Sequence, residues 1–371
     1  MRKRKGRLML VLLIAIIGLS ACKNQEAKEE TSLRVETGQE SESNRVKMKI
    51  DDFVNLDVVP EVPEELKSLK MKKVNAHRPE LDVDILKEIF LHNQVKKKEV
   101  DKGYKSREIG DYTIDSYYGK QNEILSCGWS NIHFSGVTMD YYYNTLHTDP
   151  QFDTYNLDKF SLTENLPFAK REEVFQTVKS IFEKVDIPIS DEYEAYALDH
   201  DTLKKEDNPI DVDGNVLKEA RKSEWTKEDD AYFFFLHQEV EGVPIRQIQY
   251  GDGYHGIGVD QTELSAIYGA QGWISFVSYW GYSLEETSED ISIISVDDAL
   301  KSLQKKCDML VTNDKWDLDE LDLELMPVFI KDNDYEIRPV WSFKGEAVAE
   351  DGLQYDLEIL FDGISGKEII I

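Results

Sequence analysis

Near the C-terminal end, apolar and charged residues alternate with a period of two. Leu321, Leu323 and Leu325 are interleaved with Asp322 and Glu324, and Leu353, Tyr355, Leu357, Ile359 and Phe361 follow the same rule. Successive side chains of a strand point to opposite faces, so such stretches demand sheets with one buried and one polar face, which antiparallel sheets provide. Further strands are expected over 193–198, 232–240, 243–250, 264–268, 273–280 and 335–343. The stretch 112–143, rich in Tyr, Trp, Ile and Val, reads as two or three more. Within it, Tyr141-Tyr142-Tyr143 would place Tyr142 opposite its two neighbours. Helical spacing appears in three places. Ile85, Leu86, Ile89 and Phe90 follow a start near Asp82 or Asp84, with Lys96-Lys97-Lys98 at the expected helix end. Val174, Phe175, Val178, Ile181, Phe182 and Val185 share one face of 166–186, and Pro188 stops that helix. Ser295 with Asp298 three residues on forms a capping box, Ile294 is placed as a staple, and Ala299, Leu300, Leu303 and Cys307 make the buried face.

The N-terminal stretch has a different logic. Arg2, Lys3, Arg4, Lys5 and Arg7 precede an apolar run from Leu8 to Ile17, then Leu19-Ser20-Ala21-Cys22. A membrane-spanning helix needs roughly 20 apolar residues, so the run reads as an export signal. Its last four residues resemble a bacterial lipobox, which implies cleavage after residue 21 and a lipid on Cys22. Residues 22–45 are polar and cannot bury enough apolar surface to offset ordering entropy, so they are expected to act as a flexible tether. The expected localisation is the extracytoplasmic face of the cell membrane.

Seventy-three acidic residues against 44 basic give a formal net charge of −29. Such a surface repels phosphate backbones, which excludes nucleic acid as a partner class. Cys127 and Cys307 lie far apart without a C-x-x-C or Cys/His cluster, so no metal is expected, and buried free thiols are preferred over a disulfide. Asp211-Val212-Asp213-Gly214-Asn215 lies in an acidic insertion, 199–230, but lacks the ligands of a calcium loop at Pro209 and Ala220. Gly251-Asp252-Gly253-Tyr254-His255-Gly256 satisfies G-x-G-x-x-G between strands rather than before a helix, so it carries no dinucleotide expectation.

Residues 168–282 and 295–371 share an order of amphipathic helix, strand, proline-bearing strand and glycine-turn hairpin. Val243-Pro244-Ile245-Arg246 answers to Arg338-Pro339-Val340-Trp341, and Tyr268-Gly269-Ala270-Gln271-Gly272 to Phe361-Asp362-Gly363-Ile364-Ser365-Gly366. Ser295-Val296-Asp297-Asp298-Ala299-Leu300, then Pro339-Val340-Trp341 and Phe361-Asp362-Gly363-Ile364-Ser365-Gly366-Lys367-Glu368, resemble PepSY-type domains and the YycH/YycI-like extracytoplasmic regulators. They depart from that family's Asp-Ala-x-Thr-Gly hairpin at Gly363 and Ser365. The whole chain is similar to uncharacterised lipoproteins of clostridial bacteria (Firmicutes) that carry a domain of unknown function. The resemblance implies an α+β fold of duplicated PepSY-like units, each an amphipathic helix packed on an antiparallel sheet. The expected boundaries are an N-terminal α+β region over 46–165 and units over 166–290 and 291–371. It implies a binding or regulatory role and transfers no catalytic residue.

Catalytic signatures are scarce. No G-x-S-x-G, H-E-x-x-H or Walker A occurs, and Ser302-Leu303-Gln304-Lys305 falls inside a helix with no K-T-G after it. His133, His147 and His255 lack partner spacing for a metal. No cofactor is expected. The leading expectation is a non-enzymatic module for a protein, peptide or cell-wall polymer, with Tyr141, Tyr143, Trp273, Trp280 and Trp341 as candidate partner-binding aromatics. The alternatives are a surface glycan hydrolase with a carboxylate pair and a solute-capturing lipoprotein, which would need parallel α/β lobes that the hairpin pattern does not suggest.

Overall fold

Strands dominate the chain, as alternation requires. A computed structural model describes residues 45–50, 53–106, 110–149, 154–209, 216–247, 262–309 and 314–369. The export signal, Cys22, the tether as far as residue 44, the Asp211–Asn215 turn and the Gly251–Gly256 run lie outside the described residues. Strands β1 (Val46–Ile50), β2 (Val54–Val58) and β3 (Lys70–His77) precede helix α1 (Val83–Leu91). Next come β4 (Lys97–Ser106), β5 (Gly110–Tyr118), β6 (Ile124–Gly128), β7 (Asn131–Ser135), α2 (Met139–Thr145) and α3 (Arg171–Lys184). The middle continues with β8 (Glu194–Leu198), α4 (His200–Glu206), β9 (Ala231–Leu236), β10 (Glu239–Val240), β11 (Val243–Pro244), β12 (Glu263–Gly269), β13 (Gly272–Tyr279) and β14 (Ser283–Ser292). Helix α5 (Val296–Met309) leads into β15 (Lys315–Lys331), β16 (Asp334–Val348), β17 (Gln354–Asp362) and β18 (Glu368–Ile369). Eighteen strands against five α-helices among the described residues make this a β-rich fold, which corrects the expectation of PepSY-like α+β units.

A second correction concerns which strands meet. One eight-stranded sheet runs β1-β2-β15-β16-β17-β18, with β3 pairing both β14 and β16; we call it the terminal sheet. The other, the central sheet, runs β4-β5-β6-β7-β13-β12-β9-β8 and is antiparallel throughout. The chain before α1 therefore joins the chain after β13; 165/166 separates strands of both sheets, and 290/291 falls within β14 of the terminal sheet. Each helix does lead into a four-strand run, α3 into β8-β9-β12-β13 and α5 into β15 to β18, but each run is only half of a larger sheet. Pro244 sits in the two-residue pair β10-β11, whereas Pro339 lies inside β16, so that correspondence fails as well. The physical reason lies in β2, where Val54, Leu56 and Val58 form an apolar row buried in the same core as Leu318, Leu321 and Leu323 of β15. A short two-stranded ribbon cannot bury such a row by itself.

Helix packing follows the periodicities. Ala299, Leu300 and Leu303 of α5 press on Trp316, Leu325, Trp341 and Phe343 of the terminal sheet. The Ser295 hydroxyl accepts the Asp298 N–H at 3.2 Å, which satisfies one orphan donor of the first turn. Asp82 likewise caps α1 by accepting from the N–H groups of Asp84 and Ile85. Helices α1 and α3 cover one face of the central sheet through Leu86, Phe90, Val174, Phe175, Val178 and Phe182. Tyr142 and Leu146, Leu203 of α4 and Trp225 cover part of the other.

Two local expectations change. The tyrosine run is helical, lying in α2, and Tyr142 is buried while Tyr143 is 73% exposed. One apolar and two wet positions in a row suit a strand or a short helix equally, so the pattern alone could not choose. Lys97 and Lys98 open β4 rather than ending α1, because α1 already stops at His92 in a left-handed conformation (φ 49°).

Two glycines are dictated by close approach. A Cβ on Gly345 would lie 2.0 Å from the Asp317 carbonyl oxygen of the adjacent strand, and one on Gly363 would lie 2.7 Å from that of Pro339. The second contact leaves no room for a side chain at position 363.

Candidate functional site

Residues of β15, β16 and β17 that point away from α5 fall into rows because the three strands are in antiparallel register. Glu320, Lys344 and Glu358 make one row, and Asp322, Ser342 and Leu360 the next. Arg246, just after β11, reaches the same face. Its backbone N–H donates to the Leu325 carbonyl at 2.8 Å, and its guanidinium lies 3.2 Å from Glu324 and 2.6 Å from Glu358. Lys344 Nζ sits 2.9 Å from Asp322 and 2.5 Å from Glu324.

Two adjoining depressions of about 440 and 500 Å³ share Arg246 in their walls. The first holds Asp319, Glu320, Glu346, Asp356 and Glu358 with Lys344; the second holds Glu61, Asp322 and Glu324 beside Pro63 and Pro244. Eight carboxylates thus face two basic residues, and the result is an acidic saddle whose field favours cations.

Burial works against ionisation of Glu358, but Arg246 and the Ser342 hydroxyl outweigh it and hold its pKa below the ordinary value. Burial also opposes the Lys344 ammonium, yet Asp322 and Glu324 push its pKa up. A glycosidase needs one carboxyl kept protonated as general acid, and Glu358 is held the other way. Asp362 behaves similarly. Burial raises its pKa, while the backbone and hydroxyl of Ser365, Arg338 and the Ile364 N–H together lower it. For both groups the folded pKa is depressed, so their stabilisation is complete above the unfolded value of about 4 and fades as pH falls through the folded value. The urea midpoint is therefore expected to drop on acidification below about pH 4, and Asp362→Asn should flatten that dependence. An unchanged slope in the variant would refute the assignment.

A second polar feature fixes the frame of the saddle. Arg78 follows β3 and is 1% exposed. Its guanidinium carbon lies 3.9 Å from the ring centroid of Tyr282, 4.9 Å from Tyr335, 5.1 Å from Trp280 and 5.9 Å from Trp129. Tyr282 and Tyr335 belong to the core of the terminal sheet, whereas Trp129 joins β6 to β7 and Trp280 follows β13 of the central sheet. Nη1 of Arg78 donates to the Trp280 carbonyl. Asn333 accepts the Arg78 backbone N–H at 3.1 Å and donates to the Arg78 carbonyl at 3.0 Å. Both tryptophans are left-handed, with φ of 42° and 59°, a conformation bulky residues adopt only under constraint. Nearby, the buried Gln238 amide donates to the carbonyls of Pro188 and Tyr282 and accepts the Tyr282 N–H at 2.8 Å. These ties hold the two sheets together, so that the segment leaving β9 delivers Arg246 to the saddle.

The candidate aromatics are dispersed. Tyr141, 37% exposed, and Tyr143 lie on α2. Trp273 is half-buried against Phe90, Tyr268 and Phe276, and Trp280 belongs to the Arg78 cage. Trp341 is fully buried and donates its indole N–H to the Ile294 carbonyl at 3.1 Å, so it cannot meet a partner. Cys127 and Cys307 are free thiols packed against different cores, and burial pushes the Cys127 pKa up to about 12, which leaves it unreactive. Among the described residues no cluster of three His, Cys, Asp or Glu side chains could hold a metal ion. The sequence placed Asp322 and Glu324 on the polar face of a strand without marking them as site residues, and Arg246, Lys344, Glu358 and Arg78 were missed. The alternation of β17 pointed to Glu358; Arg246 and Arg78 have no local signal because their partners come from distant strands.

No family model and no curated sequence matches the chain. Among solved structures it is similar to the crystal structure of an uncharacterized protein from Eubacterium rectale ATCC 33656, with a TM-score of 0.54 and 16% identity over 88% of this chain and 94% of that one. The likeness is one of fold.

Proposed function

We propose that this protein is a membrane-anchored extracytoplasmic lipoprotein acting as a non-enzymatic binding or regulatory module, and that its acidic saddle takes a basic segment of a protein or peptide partner. Arg246 carries this reading. An extended segment runs alongside β15, bridging Ile245 to Leu325 in parallel, and seats a guanidinium between Glu324 and Glu358. The chain itself thus displays the chemistry the saddle accepts, and the surplus of carboxylates leaves room for more of it. Binding by strand addition has less support. Two of the edge strands, β4 and β14, carry Lys97, Lys98 and Lys102 or Glu285, Glu286 and Glu289, and each of these two is interrupted by an irregularity, a common protection against pairing. A fluorescently labelled oligo-arginine peptide is expected to bind the full-length protein with an affinity that falls steeply with salt. Salt-independent binding, or none, would sink the saddle assignment.

The anchor rests on the lipobox-like Leu19-Ser20-Ala21-Cys22. No helix among the described residues is long and apolar enough to cross a membrane. Cys22→Ala should move the protein from the membrane to the soluble fraction; a variant that stays with membranes after a carbonate wash would overturn the anchor.

A further inference from the structure

Past β2, two short extended segments cover the outer edge of β15, and the hydrogen-bond ladder breaks where one gives way to the other. Glu61 bridges Asp322 in parallel; its N–H donates to the Leu321 carbonyl at 2.8 Å, and its carbonyl accepts the Leu323 N–H at 2.9 Å. Farther along, Ile245 bridges Leu325, and the Arg246 N–H donates to the Leu325 carbonyl at 2.8 Å. Alternate residues of a strand turn both backbone groups to the same side, so the Leu323 carbonyl faces this edge, as its N–H does, and not β16. By the same alternation its donor is due from position 63, two beyond Glu61, or from position 244, two before Arg246. Both are proline, which has no N–H to give. Among the described residues no backbone N–H outside the strand ladders donates to this carbonyl.

The break opens into the second depression of the saddle, of about 500 Å³, where Leu323 lies between an apolar wall of Val62, Pro63 and Pro244 and an acidic one of Glu61, Asp322 and Glu324. Residues bridged in parallel share a face, so Glu61 rises beside Asp322 on the saddle side. Asp322 and Glu324 already hold Lys344, and Glu324 also meets Arg246, whereas Glu61 is exposed and has no ion pair among the described residues. Three carboxylates against Lys344 and Arg246 leave one negative charge over, so one more cation balances the depression. Among the described residues no three such groups converge as a metal site. A carbonyl short of a donor calls instead for a cation that brings N–H groups. An ammonium carries three donors on a compact charge, and its alkyl stem suits the proline wall. We propose that a lysine side chain of the basic partner segment is seated here, donating one N–H to the Leu323 carbonyl and the others to the carboxylates around it. This seat rests on the saddle reading above and adds to it a requirement for N–H groups, beyond charge alone.

Fluorescence anisotropy of the full-length protein tests it with labelled oligo-lysine and with the same peptide carrying trimethylated side-chain ammonium groups. Trimethylation keeps every charge and removes every side-chain N–H, so the methylated peptide should bind wild type about tenfold more weakly. Pro244→Ala, at an exposed position, gives the ladder back its N–H without touching a carboxylate. That variant should bind oligo-lysine about fivefold more weakly than wild type does, and should treat the two peptides alike to within about twofold. Equal affinity of wild type for the two peptides would overturn the lysine seat and leave the saddle standing. Discrimination that persists in Pro244→Ala would overturn the seat as well. Binding of neither peptide would remove the saddle reading and the seat with it.

Discussion

Arg78→Ala is expected to destabilise the protein by about 4 kcal/mol, read as a lowered urea midpoint. The magnitude combines three losses. A desolvated cation over aromatic rings contributes about 2 kcal/mol or more, and here four rings surround one guanidinium. The emptied cage adds a cavity penalty of the kind seen for large-to-small core changes, about 2 kcal/mol. The Trp280 carbonyl also loses its donor. Arg78→Lys keeps the charge but not the planar stack, so about half the loss should remain. The left-handed φ of Trp129 and Trp280 supplies a second readout. Once the guanidinium is gone these residues are free to relax, and tryptophan fluorescence should shift in the folded variant. Arg78→Ala within 1 kcal/mol of wild type, with unchanged fluorescence, would show that the cage is not what joins the sheets.

Charge reversal in the saddle has the largest expected effect on binding. Glu358→Lys and Glu324→Lys each place a cation beside Arg246, at a site whose design depends on carboxylates. Affinity for oligo-arginine should fall about tenfold in each, and the salt dependence should shrink with it. Glu286→Lys on the exposed β14 edge makes the same change in net charge outside the saddle and should alter affinity by no more than about twofold. Equal losses in all three variants would mean that overall charge, not the saddle, attracts the peptide.

Much of the fold could be read locally. The caps at Asp82 and Ser295, the buried faces of α3 and α5, and the alternation of β15 follow from short-range physics, because capping and periodicity depend on neighbours a few residues away. The 353–361 stretch alternates only in part, with Leu353 and Tyr355 exposed and Leu360 buried. The tyrosine run at 141–143 failed for the complementary reason: three residues cannot distinguish a period of 2 from one of 3.6. The apparent repeat of helix and meander was a true local regularity that suggested the wrong global unit. Nothing in 168–282 or 295–371 announces that strands from elsewhere extend each half to eight.

The sequence by itself determined that the chain builds amphipathic antiparallel strands and a few capped helices, with a strongly acidic surface and a lipobox-like Cys22 near its N-terminus. The tertiary structure alone decided that 46–77 closes onto 283–369, that Trp341 is core rather than contact, and that Arg246 meets Glu324 and Glu358. Alternation states which side chains share a face, but not which strand lies alongside. Register between distant segments is set by the packing of whole apolar rows and by buried groups such as Arg78, and those exist only once the chain has closed on itself.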